Sequence, residues 1–192
     1  VYIQCIPNAG DDASITLCSN NTAIVTLSNI IVGEDAGGTW VASASNNSAG
    51  GTFNATAGTF TPNGTTFGVY TFTYTIPATS PCISDSSVAT INIVPTPTAT
   101  MTGATTICPG NTATLSFTGT PNAVVQFTSS TGFQYNVTLN AGGTATFTTP
   151  VLNLTTSYTL FDISLNGCTV PFTGATPVQI TLAGSPNATL TA

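Results

Sequence analysis

The chain of 192 residues has no lysine, arginine or histidine, and its six acids (Asp11, Asp12, Glu34, Asp35, Asp85 and Asp162) leave a net charge of −6 with 3% charged residues. An ordinary domain is about a quarter charged. Without cations the chain cannot displace phosphate counterions or dock by charge on an anionic membrane, so nucleic-acid binding is excluded, as are side-chain salt bridges and lysine isopeptide staples.

Nucleophilic catalysis lacks a His or Lys base to activate the abundant Ser and Thr, so no enzymatic activity is expected. Hydrophobic residues make up 41% of the chain and alternate with Thr, which favours folding over disorder. No apolar run approaches the roughly 18 residues of a membrane span, so no direct membrane insertion is expected.

Taken in order, residues 1–5 (Val1-Tyr2-Ile3-Gln4-Cys5) keep the register of Ile91-Asn92-Ile93-Val94-Pro95 and read as the end of a preceding repeat. A first unit, 6–94, is predicted to hold strands near 14–17, 22–28, 38–43, 51–54, 67–76 and 86–94. Val69-Tyr70-Thr71-Phe72-Thr73-Tyr74-Thr75-Ile76 carries the plainest signal, alternating as a sheet with one wet face requires. Gly37-Gly38 and Asn63-Gly64 supply the positive φ angles of tight turns. The two prolines of Val94-Pro95-Thr96-Pro97 predict a short, stiff, extended linker.

A second unit, 97–182, is predicted to hold seven strands, near 98–102, 112–118, 123–128, 133–139, 144–149, 156–164 and 176–182, with turns at Gly142-Gly143 and Asn166-Gly167. Its opening repeats the first: Cys18-Ser19-Asn20-Asn21-Thr22-Ala23 returns 90 residues on as Cys108-Pro109-Gly110-Asn111-Thr112-Ala113. Residues 183–192 read as the start of a further repeat, because Pro97-Thr98-Ala99-Thr100-Met101-Thr102 is echoed by Pro186-Asn187-Ala188-Thr189-Leu190-Thr191. Repetition at this length means tandem domains, and short alternating strands with frequent turns mean an all-β class: tandem antiparallel immunoglobulin-like β-sandwiches.

Gly38-Thr39-Trp40, Gly51-Thr52-Phe53, Gly58-Thr59-Phe60-Thr61-Pro62, Tyr70-Thr71-Phe72-Thr73-Tyr74 and Cys82 resemble repeats of giant surface adhesins of Bacteroidota, as do Thr106-Ile107-Cys108-Pro109-Gly110-Asn111 and Asn166-Gly167-Cys168. Those immunoglobulin-like or PKD-like arrays are exported by type IX secretion and serve gliding and attachment. The resemblance implies an extracellular, cell-surface stalk and supplies no catalytic residue.

Five cysteines in a charge-poor chain point to an oxidising exterior, and with no histidine and no metal-ligand spacing they read as disulfides. In a sandwich, Cys18 and Cys108 fall before the second strand at one pole, and Cys82 and Cys168 after the sixth strand at the other. Strands of about eight residues separate the poles by roughly 25 Å, against about 5.5 Å between bridged Cα atoms. This favours staples between successive domains, Cys18 with Cys168 and Cys5 with Cys82, leaving Cys108 for a following repeat. The alternative pairs Cys18 with Cys82 and Cys108 with Cys168, and holds if the turn before the second strand is a crossing strand.

Asp11, Asp12, Glu34 and Asp35 are a candidate calcium set, against the plainer reading of solvated acidic loops. No other cofactor is expected. Trp40 is a candidate sugar platform or a core residue, and Thr71, Thr73 and Thr75 a hydroxyl face for ice or sugar or simply wet-face β-formers. Asn-x-Ser/Thr sites at Asn20, Asn46, Asn54, Asn63, Asn136, Asn153 and Asn187 are little more than this composition gives by chance. The expected role is a structural stalk whose partners are neighbouring repeats and, through a distant tip, surface polysaccharide. The alternatives are a carbohydrate- or ice-binding module and a subunit of a surface filament.

Overall fold

Alternation with a period of two residues builds both halves of the chain. In the computed structural model, which describes residues 7–46, 50–63, 67–78 and 82–184, the chain divides into two units, Val1–Thr96 and Pro97–Ala192.

The first unit holds β1 (Ala13–Cys18), β2 (Val25–Thr26), β3 (Thr39–Ala42), β4 (Gly51–Asn54), β5 (Thr59–Pro62), β6 (Gly68–Ile76) and β7 (Asp85–Val94). One sheet runs β1-β7-β6-β3 and the other β2-β5-β4. Along β6, Tyr70, Phe72, Tyr74 and Ile76 are buried while the threonines between them are half-buried. Phe60 from the second sheet lies 5.1 Å from Phe72 and 5.2 Å from Tyr70, closing the core between the layers.

The second unit holds β8 (Ala99–Gly103), β9 (Thr106–Ile107), β10 (Thr114–Gly119), β11 (Val124–Ser129), β12 (Gln134–Thr138), β13 (Thr144–Thr148), β14 (Thr156–Leu165), β15 (Cys168–Pro171) and β16 (Val178–Leu182). The order β13-β10-β8 faces a sheet ordered β12-β11-β14-β16-β9, with β15 paired to β14. Phe127 is fully buried and meets Phe117 at 4.9 Å, Phe147 at 5.1 Å and Tyr135 at 5.5 Å.

Three local expectations need correction. Among the described residues, each unit carries one parallel pair, β1 with β7 and β9 with β16, in an otherwise antiparallel framework. The segment expected as a strand over 22–28 keeps only two strand residues before a 3₁₀ turn at Leu27–Asn29. There Leu27, Ile30 and Ile31 are buried at helical spacing, which a strand does not permit. β5, β9 and β15 were not separately expected: β5 is a short run between Gly58 and Asn63, β9 is only two residues long, and β15 follows directly on a two-residue turn. The expected fragment over 1–5, Cys5 included, and most of that over 183–192 lie outside the described residues, as does Gly64 of the Asn63-Gly64 turn.

Candidate functional site

The cysteines are placed by strand direction. Cys18 is the last residue of β1, and the parallel register sets it beside Val94, the last residue of β7. The turn after it is tied to the outgoing chain: Ser19 N donates to Val94 O at 2.8 Å, and Asn20 N donates to Thr96 Oγ1 at 3.1 Å. Cys18 therefore sits at the trailing pole, where the chain leaves the first unit. Cys82 precedes β7 and so lies at the leading pole, where Asn8 and Ala9 enter.

The second unit repeats this arrangement. Cys108 directly follows β9, whose Ile107 is paired with Leu182 at the end of β16, and Ala183 N donates to Ile107 O at 2.8 Å. That is its trailing pole. Cys168 opens β15 after Asn166 (φ 51°) and Gly167 (φ 82°), the left-handed pair that a two-residue hairpin requires. It pairs with Leu165 at the far end of β14, at the leading pole, and is buried.

Cys18, Cys82 and Cys168 are each disulfide-bonded, whereas Cys108 is free and exposed. The within-domain alternative therefore fails twice. A Cys108–Cys168 bridge is absent because Cys108 is free. A Cys18–Cys82 bridge would have to span the length of β7, ten residues or roughly 30 Å, against a limit near 7 Å between bridged Cα atoms.

The acidic loops do approach one another, but their carboxylates turn to the backbone. Asp35 Oδ2 accepts from Asn8 N at 3.0 Å, and Asp12 Oδ1 accepts from Val88 N at 2.8 Å. Asp11 is exposed and Glu34 half-buried. Asp85, which the candidate calcium set omitted, accepts from Ala9 N at 2.8 Å. Among the described residues, no group of three or more His, Cys, Asp or Glu is placed to hold a metal ion. The two loops are close because each satisfies the other's amides, and a carboxylate bonded to an amide is already directed away from a shared centre.

Trp40 is half-buried on β3 against the first core, its ring 4.9 Å from Tyr74. Gly58 (φ +60°) lies against the indole so closely that a Cβ there would stand 2.7 Å from Nε1. One face of the tryptophan is thus packed and its nitrogen edge crowded.

Thr71, Thr73 and Thr75 are only half-buried strand residues, but the second unit carries a more regular hydroxyl array. Across β8, β10 and β13 the register sets Thr100 beside Thr118 beside Thr144, and Thr102 beside Ser116 beside Thr146. All six are exposed, and Thr100 and Thr118 share a hydrogen bond of 2.7 Å. The alternation along each strand was legible in sequence, but their lateral register was not.

A groove of about 260 Å³ opens at the trailing pole of the second unit, lined among others by Phe133, Tyr135, Val151 and Leu154. Leu152, also in its wall, accepts from Gly110 N at 3.0 Å, which sets the Cys108 turn beside the groove.

Two sandwiches in succession define the chain as a tandem immunoglobulin-like β-protein. A three-domain immunoglobulin fragment of titin aligns with it at 12% identity over 91% of this chain and 64% of the fragment, with a TM-score of 0.44. Extracellular domains 3–5 of Drosophila OTK align at 14% identity over 90% and 59%, also at 0.44. The BSP domain of a biofilm-associated protein aligns at 20% identity over 92% and 30%, at 0.34. This chain therefore spans less than two thirds of the length of each. No protein-family model and no curated protein sequence matches the chain. Among the described residues, no helix is long and apolar enough to cross a membrane.

Proposed function

We propose that the chain is a structural stalk segment of an extracellular repeat adhesin, of the Bacteroidota surface type that its motifs resemble, supporting attachment or gliding after type IX export. Its partners in this reading are neighbouring repeats, with any surface polysaccharide met by a distant tip. The observation that carries the reading is the placement of cysteines at opposite poles of each sandwich, with Cys18, Cys82 and Cys168 bonded and Cys108 free, a placement suited to linking units in series rather than to pinning one unit shut.

In this reading Cys18 joins Cys168 and Cys5 joins Cys82, leaving Cys108 for a following repeat. The bonded state of Cys18, Cys82 and Cys168 and the free thiol of Cys108 support it, as does the length of β7 between Cys82 and Cys18.

Structural disulfides of this kind belong to an oxidising exterior. Non-reducing peptide mapping tests the reading, with chymotrypsin because there is no Lys or Arg for trypsin. Peptides joining Cys18 to Cys168 and Cys5 to Cys82 are expected, and a Cys82–Cys168 or Cys5–Cys18 peptide would refute it.

The exposed hydroxyl array on β8, β10 and β13 favours a second reading, a carbohydrate- or ice-binding face. A glycan array and an ice-affinity assay on the whole chain test it. Binding abolished by Thr118→Leu together with Thr146→Leu supports this reading, and no binding by the unaltered chain removes it.

A further inference from the structure

Cys108 and Cys18 occupy the same place in their units. Each ends or directly follows a short edge strand that runs parallel to the last strand of its sandwich, and each lies where the chain leaves that sandwich. Cys18 is bonded and Cys108 is not. Beside Cys108 lies the groove described above, rimmed by Phe133 (63% exposed), Val151 (56%) and Leu154 (71%). Exposed apolar side chains gathered at one end of a domain mark a surface that another protein body covers. The outgoing strand β16 ends at this pole, and Pro186–Thr191 then repeats the sequence that opens the second unit.

We infer that the trailing pole of the second unit is a covalent docking face for the leading pole of a further unit of the same kind, with Cys108 bonded to the cysteine standing where Cys168 stands in this one. The inference rests on the stalk reading and extends it: the same staple recurs at every junction, and this chain displays one that is open. The occupant is a sandwich like the second unit because such a unit presents a cysteine at its leading pole.

Bond formation joins the two Sγ atoms and releases two protons and two electrons. The electrons pass to the disulfide of an oxidised thiol–disulfide oxidoreductase or of oxidised glutathione, which departs as two thiols.

The test extends the full chain after Gly184 with a second copy of residues 97–184, expressed under oxidising conditions. Thiols are counted with a maleimide probe, and the disulfides are mapped by chymotryptic digestion without reductant. The expected result is a peptide joining Cys108 to the added copy's Cys168, with one reactive thiol per chain, that of the added copy's Cys108. The unextended chain also shows one, Cys108 itself. Changing Phe133→Ser and Leu154→Ser together is expected to slow closure of that bridge at least several-fold during refolding with oxidised glutathione, leaving the Cys18–Cys168 bridge intact.

Three reactive thiols per extended chain would overturn the inference, whether the added copy folds without bridging or does not fold at that pole. The digest separates this from failure of the stalk reading. A Cys18–Cys168 peptide beside a free Cys108 removes only the further staple, whereas loss of the Cys18–Cys168 peptide from the unextended chain removes the stalk reading itself.

Discussion

Two tyrosines on β6, four residues apart, show how little the residue type decides. Tyr74 donates from its hydroxyl to Asp35 O at 2.9 Å and accepts from Gly38 N at 2.9 Å, tying the loop before β3 to the sheet. The Tyr70 hydroxyl is buried with no partner among the described residues. Tyr74→Phe is therefore expected to cost about 1–2 kcal/mol in a denaturant melt, while Tyr70→Phe leaves stability unchanged or raises it by up to ~1 kcal/mol. Burial raises the Tyr70 and Tyr158 pKa values above the usual 10.0. Because the folded values exceed the unfolded one, their contribution is complete below pH ~10 and is lost as pH rises through the folded values. Alkaline titration followed by near-UV circular dichroism is expected to show cooperative unfolding above pH ~10. At the acidic loops, Asp12, Asp35 and Asp85 already serve as acceptors for backbone amides. Millimolar calcium is accordingly expected to leave the melting temperature unchanged, and a rise of several degrees would revive the metal-site reading.

At the scale of elements, strand positions were largely legible and strand partners were not. The expected 51–54 strand matches β4, and the 67–76 strand differs from β6 by one residue, because a Thr-aromatic alternation has only one way to bury one face and wet the other. The 22–28 segment misled because a β-branched run with apolar residues suits a strand locally, while Leu27, Ile30 and Ile31 reach the core only from a 3₁₀ turn. The parallel edge pairs were invisible because direction is set by which edge a strand returns to. The same limit hid the hydroxyl array, whose rows come from three strands far apart in sequence. Among buried side chains, Phe127 is the test of the second core, since it touches aromatics from both layers. Phe127→Ala is expected to cost about 3–5 kcal/mol, measurable as a fall in the denaturant midpoint and as faster amide exchange along β14.

For the whole molecule, stability has to come from burial, backbone ladders and disulfides, because no side-chain ion pair is available to a chain without Lys, Arg or His. Its melting temperature is therefore expected to move by less than about 3 °C between ~0.01 and ~1 M NaCl, since screening has little to act on. A shift of ten degrees would mean that the six carboxylates matter more than their hydrogen bonds suggest. The amino-acid sequence by itself determined the all-β class, the doubling of one unit and the absence of cationic chemistry, because these follow from periodicity and composition. Only the tertiary structure decided which cysteines are bonded, which acids turn to backbone amides and which hydroxyls form rows. Those facts depend on through-space distance, and distance follows from the direction in which each strand runs and the edge at which it pairs.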